Sequence, residues 1–548
     1  MIFAKNCLKI LLFKIFLILP IWGFAQDYQI WLQGEKPVEG MKPSGTSNIN
    51  LEMIHNEFEI SLINLPQLSQ QDKLTKIQNL NLKWKSKNPL IRWSFYYLAD
   101  HKISKSSYES SAKGIFLDIV IPNEKVTKLN FKIPKENVPS SPWFLLEFFN
   151  EANSIPGLYD GELSFEVASK KYVIPIHLIL QRASLPSRFK LKTSFGFAPW
   201  SVLKKHHGGW NENELALYLK YFELAQDHRI DLHKIYPSFP VLSKEGRVDL
   251  KSTQNSANFL NLWKDLYQGK NSSYALKGNV TDLPIQEEMK SNINDKKLKY
   301  WSSLNETVKD NDLQDSTYVY FADEPDKLKL IEIKKSLSAL KKANLDLNFL
   351  LTHHYDKNLD GLINWWCINY HQWDSSGFPT PDFYKERKEK NKKEKVWLYA
   401  SCNAHGCTEA ENNHEPDFVI DRPSSYLRSF PWLATLYNAD GILYYDTVLG
   451  YDKGEMSPWR DEFNFSGWGE GNLFYPCNEK FCGEKEQYPL ASLRLKILRD
   501  GLEDAQVIQE ALEKRPKLES DLKKFLKGPR SFPNELKDYS RFRAILNE

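Results

Sequence analysis

The sequence predicts a chain of more than one domain: an N-terminal β-sandwich, then a (β/α)8 TIM-type barrel, then a C-terminal helical extension. Two observations carry this. From about Gln26 to Ser187, short alternating strands follow one another with turn residues between them and no convincing long helix, the pattern of a sandwich. After a linker near Ala183–Lys190 the pattern switches to strand, helix, strand, helix, the signature of a barrel. The length agrees: 548 residues suit two large domains. Hydrophobic residues at 41% and charged residues at 26% exclude a disordered chain, a collagen-like repeat and a polytopic membrane protein.

The first 25 residues read as an address. Lys5, Lys9 and Lys14 precede an apolar run from Ile15 to Trp22, and Gly23-Phe24-Ala25 offers small residues for cleavage before Gln26. An uncleaved anchor is the competing reading, but the apolar stretch is short for a span. No other run is long enough, so no integral membrane segment is expected after cleavage, and the destination is periplasmic or secreted. Without those three lysines, 70 basic residues face 70 acidic ones. Such a balance exerts no global pull on nucleic acid or anionic lipid. Export favours short disulfide loops at Cys402–Cys407 and Cys477–Cys482. A zinc site of Cys402, His405, Cys407 and His414 is the alternative for the first pair, but its spacing matches no common finger. No metal and no cofactor are expected. Cys367 reads as a buried strand thiol.

Within the sandwich (26–187), Phe58-Glu59-Ile60-Ser61-Leu62 and Leu117-Asp118-Ile119-Val120-Ile121 alternate, and Pro156-Gly157 marks a turn. Within the barrel (188–515), apolar strands are expected near 191–197, 232–236, 274–280, 318–322, 347–351, 362–368, 396–400 and 441–445. Helical stretches such as 212–228, 284–308 and 327–343 lie between them. The fifth and sixth strands are too close for a full helix. Residues 490–512 give the last barrel helix, and 516–548 the extension.

The chemistry points to one place. Tyr318-Val319-Tyr320-Phe321-Ala322 runs straight into Asp323-Glu324-Pro325, so the fourth barrel strand ends in two acids and a proline. Strand C-termini form the active-site face of such barrels. Consecutive side chains point to opposite sides of a strand, so both acids share a pocket only where the strand stops. The bland alternative is a solvated pair capping the next helix. Many barrel glycosidases place an acid/base glutamate here after an asparagine, and a nucleophilic carboxylate after the seventh strand. In this chain Asp323 replaces the asparagine, and Val396-Trp397-Leu398-Tyr399-Ala400-Ser401 has no acid. Adjacent acids without that second carboxylate suit substrate assistance, in which the sugar's own 2-acetamido carbonyl attacks the anomeric carbon.

These residues resemble glycoside hydrolase family 123. The resemblance spans nearly the whole mature chain: Leu185-Pro186, Ser194-Phe195-Gly196-Phe197, Asp323-Glu324, Asp440 to Tyr445, Pro458-Trp459, Gly471 to Pro476, and most specifically Ser492 to Asp504. It implies a retaining exo-β-N-acetylgalactosaminidase, with Asp323 assisting the acetamido group and Glu324 as acid/base. The expected substrate is a glycan or glycoconjugate with terminal β-linked N-acetylgalactosamine. Alternatives are a hydrolase of another 2-acetamido sugar and a non-catalytic carbohydrate-binding protein on the same fold. Further substrate contacts are expected from Asn279, His353, Tyr370, Tyr399, Tyr445 and Asp446, with Trp459 stacking on a sugar face. Arg494, Arg499, Asp500, Glu503 and Asp504 are read as structural, with Arg499 and Glu503 paired four apart on one helix.

Overall fold

The computed structural model describes residues 28–31, 47–68, 77–85, 89–103, 105–108, 114–128, 131–209, 214–236, 239–240, 243, 246–250, 258–402 and 414–547. The proposed signal segment, His405 and Cys407 lie outside them. The N-terminal region is sheet-rich. Its strands are β1 (Gln29–Trp31), β2 (Ile49–His55), β3 (Phe58–Asn64), β4 (Gln78–Trp84), β5 (Ile91–Ile103), β6 (Gly114–Pro122), β7 (Trp143–Asn150), β8 (Gly157–Val167) and β9 (Lys170–Ser184). They form a four-stranded sheet, β2-β9-β8-β4, and most of a seven-stranded one, β1-β3-β7-β5-β6. Side chains from both, such as Met53, Ile63, Leu146, Leu163 and Ile176, share one hydrophobic cluster.

The seven-stranded sheet is completed from far along the chain. The antiparallel pair β20 (Phe474–Cys477) and β21 (Tyr488–Ser492) adds to its edge, with Ala491 opposite Val120. Cys477 and Cys482 are disulfide-bonded beside that pair. β3 is buried along its whole length, including Glu59 and Ser61. A simple inside–outside alternation fails there because both faces are covered. Ile63 joins the cluster between the sheets, while Ile60 and Leu62 join the core shared with the second region.

That second region is a near-closed barrel of eight parallel strands: β10 (Lys192–Gly196), β11 (Leu232–His233), β12 (Thr281–Asp282), β13 (Thr317–Asp323), β14 (Phe349–Thr352), β15 (Trp365–Asn369), β16 (Lys395–Tyr399) and β17 (Gly441–Tyr444). Residues alternate cleanly. Tyr318, Leu350, Trp365, Cys367, Trp397, Tyr399 and Leu443 fill the interior, whereas Val319, Leu351, Trp366, Leu398 and Ile442 face the helices. Backbone pairing stops between β11 and β12, and side chains bridge them instead. Asp231 accepts from the Asn279 and Val280 amides at 2.9 and 3.3 Å, Thr281 Oγ1 donates to the Leu232 carbonyl at 3.0 Å, and the Lys234 amide donates to Asp282 at 2.7 Å.

The third strand differs from expectation. The apolar stretch 274–280 is irregular chain, and the strand is the polar pair Thr281–Asp282 beyond it. Between β14 and β15 there is only a 3-10 turn, Lys357–Leu359, as the short spacing implies. After β17 come the hairpin β18 (Phe463–Asn464) and β19 (Gly467–Trp468), then the helix Leu493–Lys514, and finally the helices Leu518–Leu526 and Leu536–Asn547. Among the described residues no helix is long and apolar enough to cross a membrane.

The helix Leu493–Lys514 carries the buried charges. Arg494 meets Asp118 at 2.8 Å and Glu462 at 3.4 Å. Lys496 and Arg499 both meet Glu147, at 2.7 and 2.5 Å. The expected Arg499–Glu503 pair is not formed. Glu503 instead accepts from Arg229 and from the Phe58 amide, because the helix is buried on every side and its charges reach outward to other elements.

Candidate active site

β13 delivers the acid pair through two local departures from regular strand. The register against β14 shifts between Tyr320 and Ala322, so one extra residue enters β13 there. Tyr318 and Tyr320 face the barrel interior; the bulge changes the parity and brings Asp323, rather than Ala322, to the same side. Glu324 then adopts a positive φ of 38°. That left-handed conformation is costly for a residue with a side chain and is found where a function is served. Together they bring two consecutive acids to the same end of the barrel above Cys367, with Asp323 on a cavity wall and Glu324 against Tyr399. The helix that follows is capped by Asp326, whose carboxylate accepts from the Lys329 amide at 2.8 Å. Capping therefore occupies neither Asp323 nor Glu324.

Neutral hydroxyls hold both acids. Tyr320 and Thr352 each donate to Asp323 Oδ1 at 2.8 Å, and no donor among the described residues reaches Oδ2. Tyr399 donates to Glu324 Oε1 at 2.5 Å. Burial, and then the neighbouring acid, pushes each tyrosine's pKa well above its usual value, so both stay protonated donors. Thr352 stands opposite Asp323 in the β13–β14 register, and its hydroxyl also accepts from the Glu324 amide at 2.8 Å. Both carboxylates are exposed, and no Lys or Arg among the described residues forms an ion pair with either. Cys367 lies buried beneath them as a free thiol, its pKa raised by burial.

A cavity of about 440 Å³ opens beside Asp323. Tyr320, Tyr236, Lys234, Asp282, Lys290, Tyr445 and Asp446 line it, with Trp200 and Phe239 at its exposed edge. Asp446 accepts from the Val448 amide at 2.8 Å, and burial pushes its carboxyl up to about 7. Asp282 is fixed by the Lys234 amide and by the Tyr236 hydroxyl at 2.8 Å, and burial raises its pKa. Gly196 lets the end of β17 come this close: a Cβ there would sit 1.9 Å from the Tyr445 carbonyl oxygen.

Of the expected contact residues, Tyr399, Tyr445 and Asp446 stand at the acids or on the cavity wall. Others are placed elsewhere. Asn279 precedes β12 and therefore lies at the opposite end of the barrel from the acids, its amide bonded to Asp231. Tyr370 is fully buried among the outer helices and donates to the Pro529 carbonyl at 2.8 Å. Trp459 is 0% exposed in the core between the N-terminal sheets, its N–H donating to Pro476, which leaves no ring face for a sugar. His353 turns its Nδ1 to the His354 carbonyl and does not line the cavity. Cys402 is buried, but its expected partner Cys407 is outside the described residues. Residues 281–282, Thr352, Tyr320, Trp200 and Phe239 were not singled out by sequence reasoning. Only Trp200 carried a signal, a Pro-Trp step just after a strand end.

No curated protein sequence matches the chain significantly. Among solved structures, a family 123 glycoside hydrolase from Clostridium perfringens, described for glycolipid glycan hydrolysis, superimposes with a TM-score of 0.64 at 12% identity, covering 95% of this chain and 98% of that one. β-Glucuronidases from Parabacteroides merdae and Bacteroides uniformis reach TM-scores of 0.25 and 0.26 at 9% and 8% identity. They cover 88% and 87% of this chain and 52% and 51% of theirs, and carry no argument. The model of the glycoside hydrolase 123 catalytic domain matches residues 254–511, a span that holds six of the eight barrel strands, the acid pair and the helix that closes the barrel onto the N-terminal sheets. Residues 254–511 are thus a glycoside hydrolase 123 catalytic domain, and the protein is a glycoside hydrolase.

Proposed function

We propose that the protein is an exported, retaining exo-hydrolase of terminal β-linked 2-acetamido sugars, N-acetylgalactosamine foremost, working by substrate assistance. The observation that carries this is the pairing of Asp323 and Glu324 at one strand end, each held by neutral hydroxyls and neither neutralised by a cation. In the first step the acetamido oxygen bonds to the anomeric carbon, the glycosidic C–O bond breaks, and Glu324 gives its proton to the departing oxygen. Positive charge develops on the acetamido nitrogen. Asp323, whose Oδ2 meets no donor among the described residues, accepts that N–H and balances the charge. In the second step Glu324 removes a proton from water, the water oxygen bonds to the anomeric carbon, and the ring of the intermediate reopens with net retention. Tyr399 keeps Glu324 turned toward the scissile bond.

A glycolipid glycan is the natural substrate class this reading favours, given what the Clostridium perfringens relative hydrolyses. Export is supported by the lysine-flanked apolar leader and by the Cys477–Cys482 disulfide. In this reading the two N-terminal sheets are a β-sandwich and the last two helices an extension that steadies the barrel.

Asp446 favours a second reading, since it lines the same cavity and could supply an enzyme carboxylate in place of the acetamido group. One pair of substrates separates the two. A chromogenic β-N-acetylgalactosaminide should be cleaved and the plain β-galactoside left intact. Comparable turnover of both would remove the acetamido group from the mechanism and transfer the nucleophile's role to an enzyme residue.

A further inference from the structure

The exposed aromatic side chains are not scattered. Among the described residues the exposed Trp and Phe side chains are Trp200, Phe239 and Phe465, at 57%, 38% and 46%. Trp200 and Phe239 form the edge of the cavity that contains Asp323. Phe465 sits at the tip of the β18–β19 hairpin with its ring 6.1 Å from that of Tyr445, which lines the same cavity. Exposed rings that gather at the edge of one cavity offer an apolar surface to a ligand.

Each is held in place. Pro199 opens the helix Pro199–His207, so Trp200 is carried on its first turn directly after the end of β10. The Phe239 ring rests 5.6 Å from Tyr236, whose hydroxyl is tied to Asp282. Phe465 and Ser466 both adopt positive φ, as a tight two-residue hairpin requires.

We propose that Trp200 and Phe239, with Phe465 across the mouth, form a platform that binds the sugar on the leaving-group side of the scissile bond. The inference rests on the acetamido-sugar reading and extends it to the second residue of the glycan. The occupant follows from what surrounds the rings. Lys234, Asp282 and the Glu287–Lys290 pair, 2.5 Å apart, line the same walls. A lipid chain laid there would strip water from these groups without replacing it. A pyranose offers both surfaces at once: a C–H face for the rings and a hydroxyl rim for the charges.

The test compares kcat/KM for a disaccharide carrying terminal β-N-acetylgalactosamine on a hexose with that for methyl β-N-acetylgalactosaminide, which has no second ring. In Trp200→Ala the disaccharide-to-methyl ratio should fall about tenfold, in Phe239→Ala somewhat less, and Trp200→Phe should recover most of it. A thermal melt shows that the exposed substitution leaves the fold in place. Equal loss on both substrates would put Trp200 against the terminal sugar and overturn the platform, as would no change in the ratio. Loss seen only with glycolipid in vesicles, and not with the free disaccharide, would overturn it in favour of a lipid contact. Wild-type enzyme inert on both substrates would instead strike the acetamido-sugar reading itself, and the platform with it.

Discussion

Three carboxylates of the scaffold and the two at the end of β13 are held in opposite ways. Asp118, Glu147 and Asp504 are buried, and each faces at least one guanidinium or ammonium: Arg494, Arg499 with Lys496, and Arg428 with Arg543. Their charges are cancelled where they stand, and the cations hold Glu147 and Asp504 below the usual carboxylate range. Asp323 and Glu324 are exposed, and among the described residues their carboxylates meet hydroxyls, those of Tyr320, Thr352 and Tyr399. A hydroxyl fixes the position of a carboxylate while leaving its charge uncancelled. The scaffold pairs therefore use charge for cohesion, whereas in the proposed mechanism the charge at the end of β13 serves a cation that exists only during the reaction.

The effect that reaches every substrate should come from removing the uncancelled charge. In the proposed mechanism Asp323→Asn takes away the partner of the developing acetamido cation, so every substrate should suffer, by roughly 10²–10³-fold in kcat. Glu324→Gln removes only proton transfer. Its cost should reach about 10²–10⁴-fold on a natural disaccharide and shrink on activated aryl glycosides, whose leaving groups need little protonation. Measuring kcat/KM for both variants on both substrates resolves the roles. If Asp323→Asn spares the aryl glycoside while Glu324→Gln abolishes it, the two assignments are reversed.

On the scaffold side the corresponding cut is Arg494→Met. Arg494 spends its donors on Asp118, Glu462 and the carbonyls of Phe418 and Gly469, all fully or nearly fully buried. Losing it strands the buried Asp118 carboxylate and removes the cation beside Glu462, whose pKa burial already raises, at a cost of about 3–5 kcal/mol in a urea melt. Adding Asp118→Asn should restore part of that loss by removing one stranded charge. A single variant as stable as wild type would mean that the buried charges are not matched as the contrast requires.

The acid pair was legible because an apolar run ending in Asp-Glu-Pro is a local signal, and the barrel followed from repeated strand–helix spacing. What was illegible depended on contacts distant in sequence. Pro199-Trp200 and Pro458-Trp459 look alike on the page, yet one ring edges the cavity and the other is sealed between the N-terminal sheets by chain that returns through β20. Asn279 lies in an apolar stretch that reads as strand, but that stretch is irregular and the strand is the polar pair after it. The bulge in β13 and the positive φ of Glu324 have no residue signature, and Thr352 matters only through its register with Asp323.

Thr352 also carries the smallest prediction. Its hydroxyl makes two bonds in the site, donating to Asp323 Oδ1 and accepting from the amide of Glu324, whose backbone is strained. Thr352→Val keeps the shape and removes both. Each neutral hydrogen bond is worth about 0.5–1.5 kcal/mol, so kcat should fall about tenfold, with KM little changed if the terminal sugar binds through other groups. Thr352→Ser keeps the hydroxyl and should recover most of the rate. A packing role for the side chain would give the reverse pattern: Val, which keeps the shape, would hold the rate, while Ser, which loses the methyl, would fall, and the melting temperature would drop together with kcat. That outcome would leave Tyr320 as the hydroxyl that orients Asp323, and Tyr320→Phe would then produce the kcat loss expected here of Thr352→Val.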